Sequence, residues 1–441
     1  MDIKLSDHFS HKKLLKFTLP SIIMMIFVSI YGVVDGYFVS NFVGKEAFTA
    51  VNLIMPVLMI LGSFGFMMGA GGSALIAKTR GEGDDAEANR LFSFFVYILS
   101  AFGVVVAVVS FIFARNISVM LGAEGQILED CVTYGRIIIA VLPFQMLQFA
   151  FQSYFITAEK PQLGLYSTII AGVANMVLDA LLIMVFNMGI VGAALATAGS
   201  QFLGGIVPII YFARENQSPL KLSKAKFKGK PLLKAVTNGS SEFVSNVALS
   251  IVSIFYNLQL MKYAGEDGVA AYGVIMYVAM IFLAVFIGYS TGIAPAVGYH
   301  FGAKNKAEIK SLLRKSITVI CIMSLTMFVL AEVFAYNLAD LFVGYDADLM
   351  KITLRGFYIG SFSYLFVGFS IFGSALFTAL NDGVTSAVIS FLRSLVFQIA
   401  TIMIFPLIWG VDGIWLSLVT AEIMADIITV IFLIRKKKYF N

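Results

Sequence analysis

GKEAFTAVNLIMPVLM at residues 44–59 is answered by GEDGVAAYGVIMYVAM at residues 265–280, in the same register 221 positions later. Gly44, Ala50, Ile54 and Met55 return there as Gly265, Ala271, Ile275 and Met276. Extended outward without a gap, residues 11–213 correspond to 232–434. Gly71, Gly81, Ala86, Glu87 and Leu91 recur as Gly292, Gly302, Ala307, Glu308 and Leu312. Phe151, Ser153, Thr157, Ala158, Gly189 and Gly192 recur as Phe372, Ser374, Thr378, Ala379, Gly410 and Gly413. A narrow apolar composition produces some coincidences, but it does not return loop glycines at one fixed offset. The chain is two copies of one unit: residues 1–213, a lysine-rich connection over 214–231, and residues 232–441.

Of 441 residues, 59% are hydrophobic and only 13% charged, and the mean hydropathy is +0.90. An ordinary soluble globule carries about a quarter charged residues, so this chain belongs in a bilayer. Apolar runs of about 19 to 31 residues recur, each able to cross a hydrocarbon core of roughly 30 Å as a helix. Twelve are predicted: 14–38, 50–77, 91–114, 132–157, 163–186, 189–212, 232–260, 269–299, 317–335, 352–379, 384–408 and 411–434. The fold class expected is therefore an all-α integral membrane protein, twelve transmembrane helices in two six-helix repeats (6+6) around a central cavity. The first run is read as a span rather than a removed leader, being too long for a signal-peptide core.

Lys and Arg are retained on the cytoplasmic side of short loops. One set of loops carries Lys78, Arg80 and Arg90, then Arg214, Lys221, Lys224, Lys226, Lys228, Lys230 and Lys234, then Lys304, Lys306, Lys310, Arg314 and Lys315, besides both chain ends. The opposite set holds only Lys45, Arg115, Lys262 and Lys351. This asymmetry predicts a multi-pass protein of the plasma (inner) membrane with both termini cytoplasmic. Six crossings return the chain to its starting side, so the copies insert in the same orientation and the repeat is parallel. The net charge of +5 then reports topology and lipid contact, not nucleic-acid binding.

Ionisable groups inside spans are costly and usually face a protein interior or a watery cavity. Asp35 lies near the outer end of the first span; Asn175 and Asp179 are one helical turn apart on the fifth; Thr197 is eight residues into the sixth. At 1.5 Å per residue, all four fall roughly 5 to 15 Å below the outer surface. Two carboxylates, an amide and a hydroxyl at one level suit a small hard cation or a proton shared by the acidic pair. They also suit simple interhelical hydrogen bonding. A shift of 221 lands these residues on Tyr256, Val396, Ala400 and Leu418, so ion coupling is expected in the first half alone.

The seventh span carries Glu242, Asn246, Ser250, Ser253 and Asn257 within an arc of roughly 80°, and the fourth carries Gln145, Gln148 and Gln152. Each stripe reads either as cavity lining or as a hydrogen-bond seam between helices. Tyr37 is a further cavity candidate. Arg393 shares its depth with Glu422 and Asp426, which lie on one face of the last span; a structural ion pair is expected there.

Other chemistries lack their residues. No GxxxxGK followed by Ser or Thr occurs, so neither ATP hydrolysis nor an ATPase partner is required. The run Gly81, Glu82, Gly83, Asp84 sits in a solvated turn. His8, His11 and His300 make no metal cluster within the bilayer, and Cys131 and Cys321 make no disulfide framework. No cofactor is expected, and the chain is expected to act as a monomer with lipid and small drug-like molecules as its partners.

Taken together, the two six-span copies, YGVVDGYFVSN at 31–41, the Gly-Glu-Gly turn at 81–83, NMVLDALLI at 175–183 and GIVGAALAT at 189–197 resemble a multidrug and toxic compound extrusion (MATE) transporter. The resemblance covers essentially the whole chain. It implies that Asp35, Asn175, Asp179 and Thr197 form the coupling site, with Na⁺ as the metal these oxygens could hold. It also implies export of bulky, often cationic, aromatic compounds in exchange for H⁺ or Na⁺. A lipid-linked oligosaccharide flippase of the same superfamily is the alternative, but it would be expected to line its cavity with Arg and Lys. Only Lys16, Arg136, Arg355 and Arg393 remain within spans. A membrane-embedded enzyme would need a convergent nucleophile, base or metal set, and none is present.

Overall fold

The computed structural model describes residues 3–440, and among them every regular element is helical. In the first half, span 1 is His11–Phe38 with a π-helical turn Val39–Val43, span 2 is Lys45–Gly81, and span 3 is Asp85–Met120. Span 4 comes in two pieces, Gly125–Ala140 and Leu142–Thr157. Span 5 is Pro161–Asp179 running into the π-helical Ala180–Val185, and span 6 is Gly189–Ala213. Spans 7 and 8 are drawn from one helix, Gly229–Gly302, folded over at Gly265 (φ 65°, ψ −154°). Span 9 is Lys306–Val343, span 10 runs from Ala347–Gly360 through Val367–Ala379, span 11 covers 383–409, and span 12 is Val411–Arg435.

These helices overrun the apolar stretches that announce them. Span 3 begins six residues before its expected start because Asp84 caps it, accepting from the Glu87 amide at 2.8 Å. Asn305, the repeat mate of Asp84, caps span 9 through the Glu308 amide at 3.1 Å. The hydrophobic run marks the lipid core; capping side chains set where the helix ends. Span 4, expected as one helix over 132–157, breaks at Val141 because Pro143 lacks the N–H that would continue the ladder. Loop glycines recur for a conformational reason: Gly189 and Gly410 hold φ of 58° and 56°, a region that a side chain disfavours.

Both described chain ends pack together, Leu5, Phe9 and Phe440 sharing one apolar cluster; the face of the bundle they occupy is called the terminal face below. There the halves meet backbone to backbone. Span 2 lies against the start of span 7 and the end of span 8, and a Cβ on Gly71 would strike the Ala235 carbonyl, on Gly239 that of Met67. Gly81 and Gly302 repeat the arrangement reciprocally, against Tyr299 and Lys78. Contact between the halves continues to Ser29, whose hydroxyl reaches the Met280 carbonyl at 3.3 Å, and to Phe64 and Phe243, whose rings lie 4.8 Å apart. At 1.5 Å per residue these contacts stand roughly half way through the bundle. Past them, Ile30, Tyr37, Met59 and Tyr277 are exposed.

A strap over residues 3–10 crosses the terminal face and binds both halves. The Leu5 amide donates to Glu159 at 3.1 Å, and Glu159 is itself held by Arg80 at 3.1 Å. Four residues later the Phe9 amide donates to Glu308 at 3.0 Å, His8 Nδ1 lies 2.6 Å from the same carboxylate, and Lys315 donates to the Phe9 carbonyl. Leu5 and Phe9 are fully buried.

Candidate functional site

Asp35, Asn175, Asp179 and Thr197 converge. Thr197 Oγ1 donates to Asp35 Oδ1 at 3.2 Å, and the side chains of Asn175 and Asp179 reach the same carboxylate. Asp179 is fully buried and Asn175 nearly so. Asp35 is half-buried. Local structure explains the convergence: the π-helical turn in span 1 begins four residues past Asp35, and that in span 5 directly follows Asp179. Such turns re-aim the side chains next to them.

Neither oxygen of Asp179 meets a protein donor, and Oδ1 of Asn175 is also unpartnered. Buried oxygens without donors are rare, and two ionised carboxylates in contact repel. Such a set has the chemistry to accept a proton or a small oxygen-seeking cation. Among the described residues no group of three or more His, Cys, Asp and Glu could hold a metal, so any metal ion would rely on the amide and hydroxyl as much as on the acids. Sequence reasoning missed Tyr134 of span 4, fully buried, whose unpartnered hydroxyl lies near Thr197 and Asp35. Tyr31, one turn before Asp35, also lies beside it. Neither tyrosine belongs to a polar periodicity, so no spacing signal was there to find.

The second half holds a cavity of about 290 Å³. Glu242 and Asn246 line it, but Ser250, Ser253 and Asn257 do not; Leu249, Val252 and Tyr256 take their place. The wetted face of span 7 is thus rotated toward an apolar edge, while Asn257 is exposed elsewhere. Gln145, Gln148 and Gln152 are buried inside the first half, the latter two beside a small void with Gly204 and Pro208. Tyr37 is 58% exposed, its ring against Phe38 and Phe42 at 6.2 and 6.3 Å.

Arg393 Nη1 lies 3.6 Å from Glu422 Oε1, and Glu422 also accepts from Ser370 at 3.1 Å. Asp426, expected in this pair, is not within ion-pair distance of Arg393, and its Oδ1 is unpartnered. Tyr256, the repeat mate of Asp35, donates to Gln398 at 2.8 Å and meets the Ser417 hydroxyl at 2.8 Å. The second half therefore keeps the meeting of three helices but fills it with a neutral hydrogen-bonded set.

The family description MatE matches residues 20–181 and again 243–404. The multidrug export protein MepA of Staphylococcus haemolyticus (strain JCSC1435) is 25% identical over 93% of this chain and 90% of its own length. MepA of Staphylococcus aureus (strain MRSA252) is 24% identical over 97% and 94%. Among solved structures, MATE in complex with MaL6 superposes with a TM-score of 0.93 at 21% identity, covering 98% of both chains. The outward-facing conformation of a multidrug resistance MATE family transporter of the MOP superfamily gives 0.92 at 21% identity over 98% and 97%. With both six-span copies matched across most of their length, the chain belongs to the MatE family.

Proposed function

We propose that the protein is a secondary-active multidrug efflux antiporter that exports organic, often cationic, compounds in exchange for H⁺ or Na⁺. The family is one of transporters rather than enzymes, and the MepA relatives named above are multidrug exporters. The observation that carries the reading is the pair Asp35 and Asp179 side by side, with Asp179 fully buried and neither of its oxygens meeting a protein donor. In this reading the protein sits in the plasma membrane as a monomer with the terminal face cytoplasmic, as the loop charges favour. The conformation described is then outward-facing: sealed inside by the glycine seam, parted outside beyond Ser29 and Met280.

Alternating access follows from two ligands that stabilise different states. A cation arriving from outside occupies the acidic pocket, draws spans 1, 5 and 6 together and lowers affinity for the exported compound, which leaves. Opening of the terminal face then returns the cation to the cytoplasm and admits new cargo.

The test is uptake of a fluorescent organic cation into everted vesicles under imposed H⁺ or Na⁺ gradients. Asp35→Asn and Asp179→Asn are each expected to abolish gradient-driven uptake while leaving purified protein monodisperse. Wild-type rates in both variants would remove the site from the mechanism.

A further inference from the structure

Between the acidic pocket and the terminal face, the interior of the first half carries oxygens that no protein donor reaches. The side-chain carbonyls of Gln145, Gln148, Gln152 and Gln201 are all buried and unpartnered. Gln148 and Gln152 border a void of about 10 Å³ together with Ser167 and Thr168 of span 5 and Gly204 and Pro208 of span 6. That is room for about one water, with polar groups enough to bind it. We infer that these residues hold a file of waters through which the coupling proton passes from Asp179 to the terminal face, inside the first half and apart from the cleft that cargo uses. The inference rests on the antiport reading above and names the ion and its exit.

Two helices each present one continuous face along this route. On span 5, Thr168, Gly172, Asn175 and Asp179 fall within an arc of roughly 60°, and on span 6 so do Thr197, Gln201, Gly204 and Pro208. Thr168 stands about 10 Å from Asn175 along the helix, and Gly164, also at the void, is about 5 Å from Pro161, where span 5 begins. The void therefore lies most of the way from the pocket to the terminal face. Thr168 donates to the Gly164 carbonyl at 3.0 Å, which leaves its lone pairs for water. The Gln148 amide fills the space a Cβ on Gly204 would need, so the absence of a side chain there seats the glutamine against span 6.

The route is closed at one height. A Cβ on Gly172, between Thr168 and Asn175, would strike Phe27 and crowd Tyr31 of span 1, whose rings lie 6.0 Å apart. These rings stand across the file in the conformation described, and so keep a pocket open on one side from leaking to the other. Span 1 also sits on the second half: a Cβ on Gly288 would strike the Ser21 carbonyl and the Ile22 backbone, and Ser29 reaches the Met280 carbonyl. Opening of the terminal face moves the second half, draws on span 1 and takes the rings off Gly172. The Asp179 carboxyl then gives its proton to the file and is left a carboxylate. Each water receives one proton and releases another, and the last delivers it at the terminal face. Asp35, Tyr31 and Tyr134 are the other titratable groups around this acidic pair. A passage one water wide carries a proton by such exchange but does not admit a hydrated Na⁺.

The test uses full-length protein in proteoliposomes with a trapped pH dye, potassium and valinomycin balancing charge. Without cargo, the wild type is expected to hold an imposed proton gradient, and Phe27→Ala to dissipate it about tenfold faster or more. Adding Gln148→Leu and Gln152→Leu to Phe27→Ala should make the vesicles tight again, which a leak through damaged packing would not allow. Gln148→Leu with Gln152→Leu alone should slow proton-driven export of ethidium about tenfold, as for file waters short of two acceptors. Equilibrium ethidium binding by that double variant should stay at the wild-type level, which also reports a folded protein. Tight vesicles with Phe27→Ala, a leak that survives the glutamine substitutions, or wild-type proton-driven rates in the double variant each overturn the inference. So does a wild type driven by Na⁺ gradients alone, which leaves the export reading standing. Absence of any gradient-driven transport sinks that reading together with the file.

Discussion

Tyr256 stands where the repeat would place an aspartate, and its hydroxyl ties span 7 to Gln398 and Ser417. Tyr256→Phe removes one oxygen and leaves Gln398 with a lost donor; the expected cost is about 1–3 kcal/mol, read as a lower unfolding midpoint of purified protein, with gradient coupling retained. On the terminal face, burial opposes ionisation of Asp382, but hydrogen bonds from Lys436 (2.9 Å) and Thr385 and the Lys436 charge outweigh it, holding its carboxyl below the usual range. The stability it contributes is thus present above the ordinary aspartate pKa of about 3.9 and is lost as pH falls through the lower folded value. Asp382→Asn should melt earlier than wild type at pH 7, and the difference should shrink as pH falls below the ordinary aspartate range. At this scale the sequence was legible where polarity is conspicuous. Asp35, Asn175, Asp179 and Thr197 stand out because few such residues occur inside spans, whereas Tyr134 and Tyr256 hide among apolar residues and declare a polar role only through what their hydroxyls touch. Periodicity found the polar arc of span 7, but it could not say which neighbour that arc would meet, so only Glu242 and Asn246 reach the cavity.

Among elements, the crossings were legible and their breaks less so. The division of Gly229–Gly302 at Gly265 follows from the repeat, since Gly44 precedes span 2 in the same way. The interruption of span 4 and the π-helical turns follow from local hydrogen bonding, which hydropathy does not record. The strap lies outside every apolar run and was legible only as a short charged lead, yet it joins Glu159 of one half to Glu308 of the other. It should therefore favour the closed terminal face. The double variant Leu5→Ser and Phe9→Ser removes two fully buried side chains. It is expected to shift the conformational equilibrium toward the open terminal face, since burying each such side chain contributes roughly 1.5–3 kcal/mol. Spin labels at Glu82 and Ala303, one on each half, check this as a growing population of long distances. An unchanged distribution would leave the strap a passive cover.

For the molecule as a whole, closure depends on glycines that let helices approach to backbone contact. Gly239→Val places a branched side chain against the Met67 carbonyl and should wedge the terminal face apart. The same pair of labels should report it, and outward release of cargo should slow while the acidic pocket stays intact. A seam made this way transmits rigid-body motion well, because packed backbones do not deform in small steps. The strap adds a condition on biogenesis. His8 must find Glu308, 300 residues further along the chain, and at ribosomal rates of about 5–20 residues per second that partner emerges roughly 15 to 60 s later. Until span 9 has been threaded into the bilayer, the newborn transporter has no means of latching its terminal face, so the strap waits for a partner made 300 residues after it.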